Sequence, residues 1–133
     1  MQGKWESAIK EFEKALEIFR EYEDDYNISL TLSSIGSAYR MMDVPEGARK
    51  YLSEALDIVR KLEDLNKESL ILVKLGGAHR QLHKHEKAIE LYYEALKIVR
   101  ELKKDRSDED GFRKQLLSRE GKILGEIGTV YRR

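Results

Sequence analysis

The sequence predicts an all-α protein of about six helices arranged as antiparallel pairs, and three observations predict it. One proline and few β-branched clusters occur in 133 residues, while Glu, Lys, Leu and Ala abound. Apolar residues recur at spacings of three and four, which gathers them on one helix face. Shifting the chain on itself by 40 residues superposes the same residue types again and again.

Each element follows from those columns. Residues 1–24 hold one amphipathic run, Trp5 to Phe19, with Ala8, Ala15, Leu16, Ile18 and Arg20. Residues 25–64 hold two runs. The first carries Gly36, Ala38 and Arg40; the second repeats the opening pattern as Ala48, Ala55, Leu56, Ile58 and Arg60. Met42-Asp43-Val44-Pro45 separates them, with proline where a helix's first turn accepts it. Residues 65–104 do the same with Gly76, Ala78 and Arg80, then Ala88, Ala95, Leu96, Ile98 and Arg100. Small residues inside an apolar stripe mark places where helices cross closely. Glu6, Glu46 and Glu86 share a column at the start of each second helix, suited to the positive end of its dipole. The tail, residues 105–133, repeats only a first helix, ending Ile127-Gly128-Thr129-Val130-Tyr131-Arg132.

These residues resemble the tetratricopeptide repeat (TPR) family. Its pattern of a large residue, Leu-Gly, Tyr, then Ala and Phe maps onto Leu32, Ile35, Gly36, Tyr39, Ala48 and Leu52. It maps again onto Leu72, Leu75, Gly76, His79, Ala88 and Tyr92. The opening supplies only the second half, Ala8 and Phe12, and the end only the first half, Leu124, Ile127, Gly128 and Tyr131. The resemblance implies a single domain, a right-handed α-solenoid of helix pairs whose first helices line a concave face. Leucine replaces the family's tryptophan, and Arg20, Arg60 and Arg100 stand where its closing proline would be.

The repeat is about six residues longer than the family's usual 34. With the glycine-to-alanine spacing fixed at 12, the extra length is expected after the second helix, which would run on through REYED, RKLED and RELKK. This long form is similar to repeats of G-protein-signalling-modulator scaffolds, kinesin light chains and bacterial peptide-sensing regulators. A further 12-residue insertion precedes the last first helix. Ser107 followed by Asp108-Glu109-Asp110 is read as the start of a final helix lengthened by about three turns, with a flexible loop as the alternative.

Composition narrows the function. The 25 basic and 25 acidic residues balance, so neither nucleic acid nor an anionic membrane is an expected partner. Without cysteine there is no thiolate nucleophile or thiolate zinc site. No signal peptide or transmembrane run is evident, which makes a cytoplasmic protein the default expectation. His79 and His83, four apart on a predicted helix, with His85 and Glu86 nearby, have metal-chelating spacing. His79, however, occupies the aromatic column of Tyr39 and Tyr131, so packing is its expected role and no metal or cofactor is expected. No Ser/His/Asp order or phosphate loop emerges, and Gly76-Gly77 lies in a helix with no strand before it; enzymatic activity is not expected.

The family resemblance places a peptide-binding surface on the concave face. Matching residues are Leu30, Ser33, Ser34, Ser37, Arg40 and Met41 of the first complete repeat. The next contributes Leu70, Val73, Lys74, Gly77, Arg80 and Gln81, and the last Lys122, Gly125, Glu126, Thr129 and Arg132. Many peptide-binding members place asparagine where Ser37, Gly77 and Thr129 stand, so an asparagine clamp on a terminal carboxylate is absent. The column Arg40, Arg80 and Arg132 would suit an acidic ligand through bidentate hydrogen bonds, although cations near helix C-termini are favoured anyway. The second column, Arg20, Arg60 and Arg100, reads as a solvated edge.

The expected function is therefore a non-enzymatic scaffold binding an acidic or amphipathic peptide or a partner protein. The alternatives are a sensor segment of a larger regulator, or an engineered or fragment array without a native ligand. Both terminal half-repeats are expected to expose apolar stripes, which predicts a piece of a longer solenoid or self-association through the end helices.

Overall fold

In the computed structural model, which describes residues 2–105 and 110–132, the chain forms six α-helices and, among the described residues, no strand. They are α1 (Gln2–Glu21), α2 (Asp25–Met41), α3 (Pro45–Lys61), α4 (Leu65–Gln81), α5 (His85–Asp105) and α6 (Asp110–Tyr131). The helix start read at Ser107 lies outside the described residues; from Asp110 onward the backbone is helical.

One turn design recurs every 20 residues. Glu23, Asp43, Glu63 and His83 all occupy the left-handed region, at φ 53°, 60°, 55° and 61°. After α1, the Asp24 N–H reaches back to the Phe19 carbonyl at 3.0 Å and the Glu23 N–H to that of Arg20 at 3.1 Å. That pair of bonds satisfies carbonyls which the helix end would otherwise leave open. The turns after α2, α3 and α4 repeat it, as in Val44 to Tyr39 at 2.8 Å, Asp64 to Val59 at 3.1 Å and Lys84 to His79 at 2.9 Å.

The chain restarts at once. The Asp24 carboxylate accepts the Asn27 side-chain amide at 2.7 Å and the Asn27 backbone N–H at 3.2 Å, capping α2. Those bonds hold its carboxyl below the ordinary range. Pro45 opens α3 without any side-chain cap. These turns correct the expected helix extension: REYED and RKLED are interrupted at Glu21 and Lys61, and only RELKK continues as helix, to Asp105. Helix-stopping hydrogen bonds, made here without proline or glycine, do the terminating.

Two compact units result, residues 1–64 and 65–133. In the first, α2 packs against both α1 and α3. The core is Leu32 and Ile35 of α2 against Ala48, Leu52, Ala55 and Val59 of α3, all fully buried. At ~1.5–3 kcal/mol for each large aliphatic side chain removed from water, this seam supplies much of the unit's stability. In the second unit, α5 packs against both α4 and α6. Leu72 and Leu75 of α4 meet the column Ala88, Tyr92, Ala95 and Val99 of α5, again buried. Buried Ser29 and Ser69 share a column and solve their polarity the same way, each hydroxyl donating to a carbonyl one turn back, on Tyr26 and Asn66, at 2.8 Å. On α6 the residues Leu116, Ile123, Ile127 and Val130 form the buried stripe.

Candidate protein-binding surface

The residues read as a recognition face fall on α2, α4 and α6. On α2, Ser33 is buried, Ser34, Ser37 and Arg40 are half-buried, and Met41 is exposed. On α4, Gly77 is buried and Val73, Lys74, Arg80 and Gln81 are half-buried. On α6, Lys122, Gly125 and Arg132 are exposed, while Glu126 and Thr129 are half-buried, the Thr129 hydroxyl donating back to the Gly125 carbonyl at 3.0 Å. Spacings of three and four place Leu30, Ser33, Ser34, Ser37 and Met41 on one stripe of α2. Leu70, Val73, Lys74, Gly77 and Gln81 form the matching stripe of α4. Leu30 and Leu70, in the same column, are 37% and 38% exposed.

Charge is arranged differently from the column picture. The Arg80 Nη1 atom of α4 lies 2.9 Å from the Glu126 Oε2 of α6. The same oxygen accepts the Tyr92 hydroxyl of α5 at 3.4 Å. Two candidate ligand-binding residues are thus brought together with each other, and Arg80 spends its charge inside the second unit. Arg132 remains exposed at the end of α6.

The other arginine column makes edge ion pairs. Arg20 meets Glu54 at 2.7 Å, joining α1 to α3, and Arg100 meets Glu120 at 2.9 Å, joining α5 to α6. Lys103 adds a 2.6 Å contact to Glu120. Hydrogen bonds from Lys103 and then Arg100 hold the Glu120 carboxyl below the ordinary range.

Arg119 of α6 escaped the sequence reading. Its Nη1 donates to Asn66 Oδ1 at 2.7 Å and to Ser69 Oγ at 3.1 Å, both near the start of α4. Burial pushes its guanidinium below the ordinary arginine range. The available signal was its place three after Leu116 and four before Ile123, at the rim of an apolar stripe where a cation needs a partner.

The histidine cluster does not form the helical pair that its spacing suggested. α4 ends at Gln81, and His83 sits in the following turn with a left-handed backbone. His83 and His85 meet edge to face, ring centres 6.0 Å apart. Among the described residues no three His, Cys, Asp or Glu side chains gather to hold a metal ion. A surface cavity of about 390 Å³ opens in the second unit, lined by His85, Glu86, Ile89, Val130 and Tyr131. The Tyr131 phenol is pushed up by its hydrogen bond with the hydroxyl of Tyr93. No helix among the described residues is long and apolar enough to cross a membrane.

Paired helices, small residues opposite large ones and a repeat along the whole described chain define a helical-repeat protein. The tetratricopeptide repeat family model matches residues 1–61 and, again, 28–101, and the chain belongs to that family. Its repeats generally serve as protein–protein interaction modules and typically act as non-enzymatic scaffolds. Among curated proteins, no sequence matches this chain.

Proposed function

We propose that this protein is a non-enzymatic scaffold that binds an amphipathic peptide or helix of a partner protein on a first-helix stripe, that of α2 in the first unit and that of α4 in the second, each taken by itself. One observation carries the reading: Leu30 and Leu70, at the same register, stay exposed beside small or half-buried neighbours. Each stripe thus offers one apolar anchor for an apolar side chain of a ligand. Anionic side chains on the ligand would find Arg132 and Lys122 rather than Arg80, whose guanidinium faces Glu126.

A peptide array probed with the purified chain tests this. Leu70→Glu is expected to weaken the selected peptides by roughly tenfold or more, the scale of burying one leucine, with an unchanged melting temperature. Equal binding by Leu30→Glu, Leu70→Glu and the parent chain would refute the site.

A further inference from the structure

Two helix faces whose counterparts are fully covered elsewhere in this protein are left open on α6 and only half covered on α1, and they are complementary. On α6, Leu117, Gly121, Leu124, Gly128 and Tyr131 follow one another at spacings of four and three, on the face flanking its buried stripe, and all are exposed. Gly121, Leu124, Gly128 and Tyr131 occupy the columns of Ser29, Leu32, Gly36 and Tyr39 on α2. They likewise match Ser69, Leu72, Gly76 and His79 on α4. Leu32 and Leu72 are 0% exposed whereas Leu124 is 46% exposed. A Cβ on Gly36 would lie 2.5 Å from Leu52 of α3, and one on Gly128 would meet nothing within 4 Å. Tyr39 stacks on Tyr51 of α3 at 5.6 Å, while Tyr131 is exposed at the edge of the cavity.

The helix that covers α2 is α3, and the helix that covers α4 is α5. Both present the same column, Ala48, Leu52, Ala55 and Val59 or Ala88, Tyr92, Ala95 and Val99, at 0–1% exposure. α1 carries that column too, as Ala8, Phe12, Ala15 and Phe19, but there all four residues are only half-buried. Its other apolar positions, Ile9 and Leu16, are already buried.

We infer that a second copy of this chain is the occupant: α1 of one molecule lies antiparallel along α6 of another, with Phe12 over Gly128 as Leu52 lies over Gly36 and Tyr92 over Gly76. The contact is head to tail, since each copy offers one α6 face and one α1 face, and it leaves the leucine stripes of α2 and α4 untouched. Its failure and that of the peptide site are therefore separate.

Sedimentation equilibrium of the 133-residue chain tests the inference. The average mass should rise above the 15.5 kDa of one chain as concentration increases. Gly128→Gln places its side chain in open space, so the fold survives; it should weaken association by roughly tenfold or more by overpacking the contact. Phe12→Glu should do the same from the other side, with thermal melting to confirm folding and Ala8→Arg as the substitute if it fails to fold. An equimolar mixture of the two folded variants keeps one intact α1 face and one intact α6 face, so it should form dimers and nothing larger. A single-chain mass at every concentration, association indifferent to Gly128→Gln, or a mixture that stays monomeric would each overturn the assignment.

Discussion

Gly76 lies directly beneath the ring of Tyr92: a methyl group on it would fall 2.5 Å from Cε1 and 2.9 Å from Cζ. Non-bonded contacts of a Cβ atom are essentially never that short, and a buried aromatic ring has little room to retreat. Gly76→Ala is therefore expected to cost about 1–3 kcal/mol despite alanine's better helix propensity. Chemical denaturation of the variant against the parent chain measures it. A neutral substitution would mean that α4 and α5 cross less closely than described.

The Arg80–Glu126 pair ties α4 to α6 with side chains partly shielded from water. Double-mutant cycles on Arg80→Ala and Glu126→Gln should return a coupling of about 0.5–1 kcal/mol, reduced by added salt. Zero coupling at low ionic strength would return Arg80 to the pool of ligand-binding charges.

Acid should loosen the α5–α6 contact through Glu120. Its folded carboxyl titrates below the unfolded one, held there by Lys103 and Arg100. The stability it adds is complete above the ordinary glutamate range and disappears as pH falls through the lower folded value. Melting temperatures of Glu120→Gln should lie below the parent's at neutral pH and converge with it in acid. Parallel pH profiles for the two chains would contradict this.

His83 holds a left-handed backbone at φ 61° without being glycine. A β-carbon there costs on the order of 1 kcal/mol, so His83→Gly should stabilise the second unit by up to about that much. A lower melting temperature would show that the ring's edge contact with His85 outweighs the strain.

The pairing of helices was legible because it rests on local composition: Gly36 and Gly76 mark close crossings, and Leu52 and Tyr92 sit 16 residues on to fill them. The helix ends were not. RKLED looks like good helix, and what stops it at Lys61 is a pair of backbone hydrogen bonds around Glu63, a residue with no intrinsic preference for the left-handed region. The candidate surface was legible as a stripe but not as a field of charge. Whether an arginine faces solvent or a carboxylate depends on the rotation of a distant helix, and Glu126 arrives beside Arg80 from 46 residues away. Arg119 was missed for the same reason: its partners Asn66 and Ser69 precede it by 53 and 50 residues.

α6 holds Gly111, Gly121, Gly125 and Gly128 within 22 residues, and none is placed where a side chain would collide. Relative to alanine the three in the body of the helix, Gly121, Gly125 and Gly128, weaken it by on the order of 2–3 kcal/mol in total, with no packing in return. Of the helices in its unit, α6 is thus the one whose backbone amides should exchange soonest with solvent, opening as a cooperative segment before α4 and α5 do. Anything that seats against it would slow that exchange, making the order of this one helix a readout of occupancy.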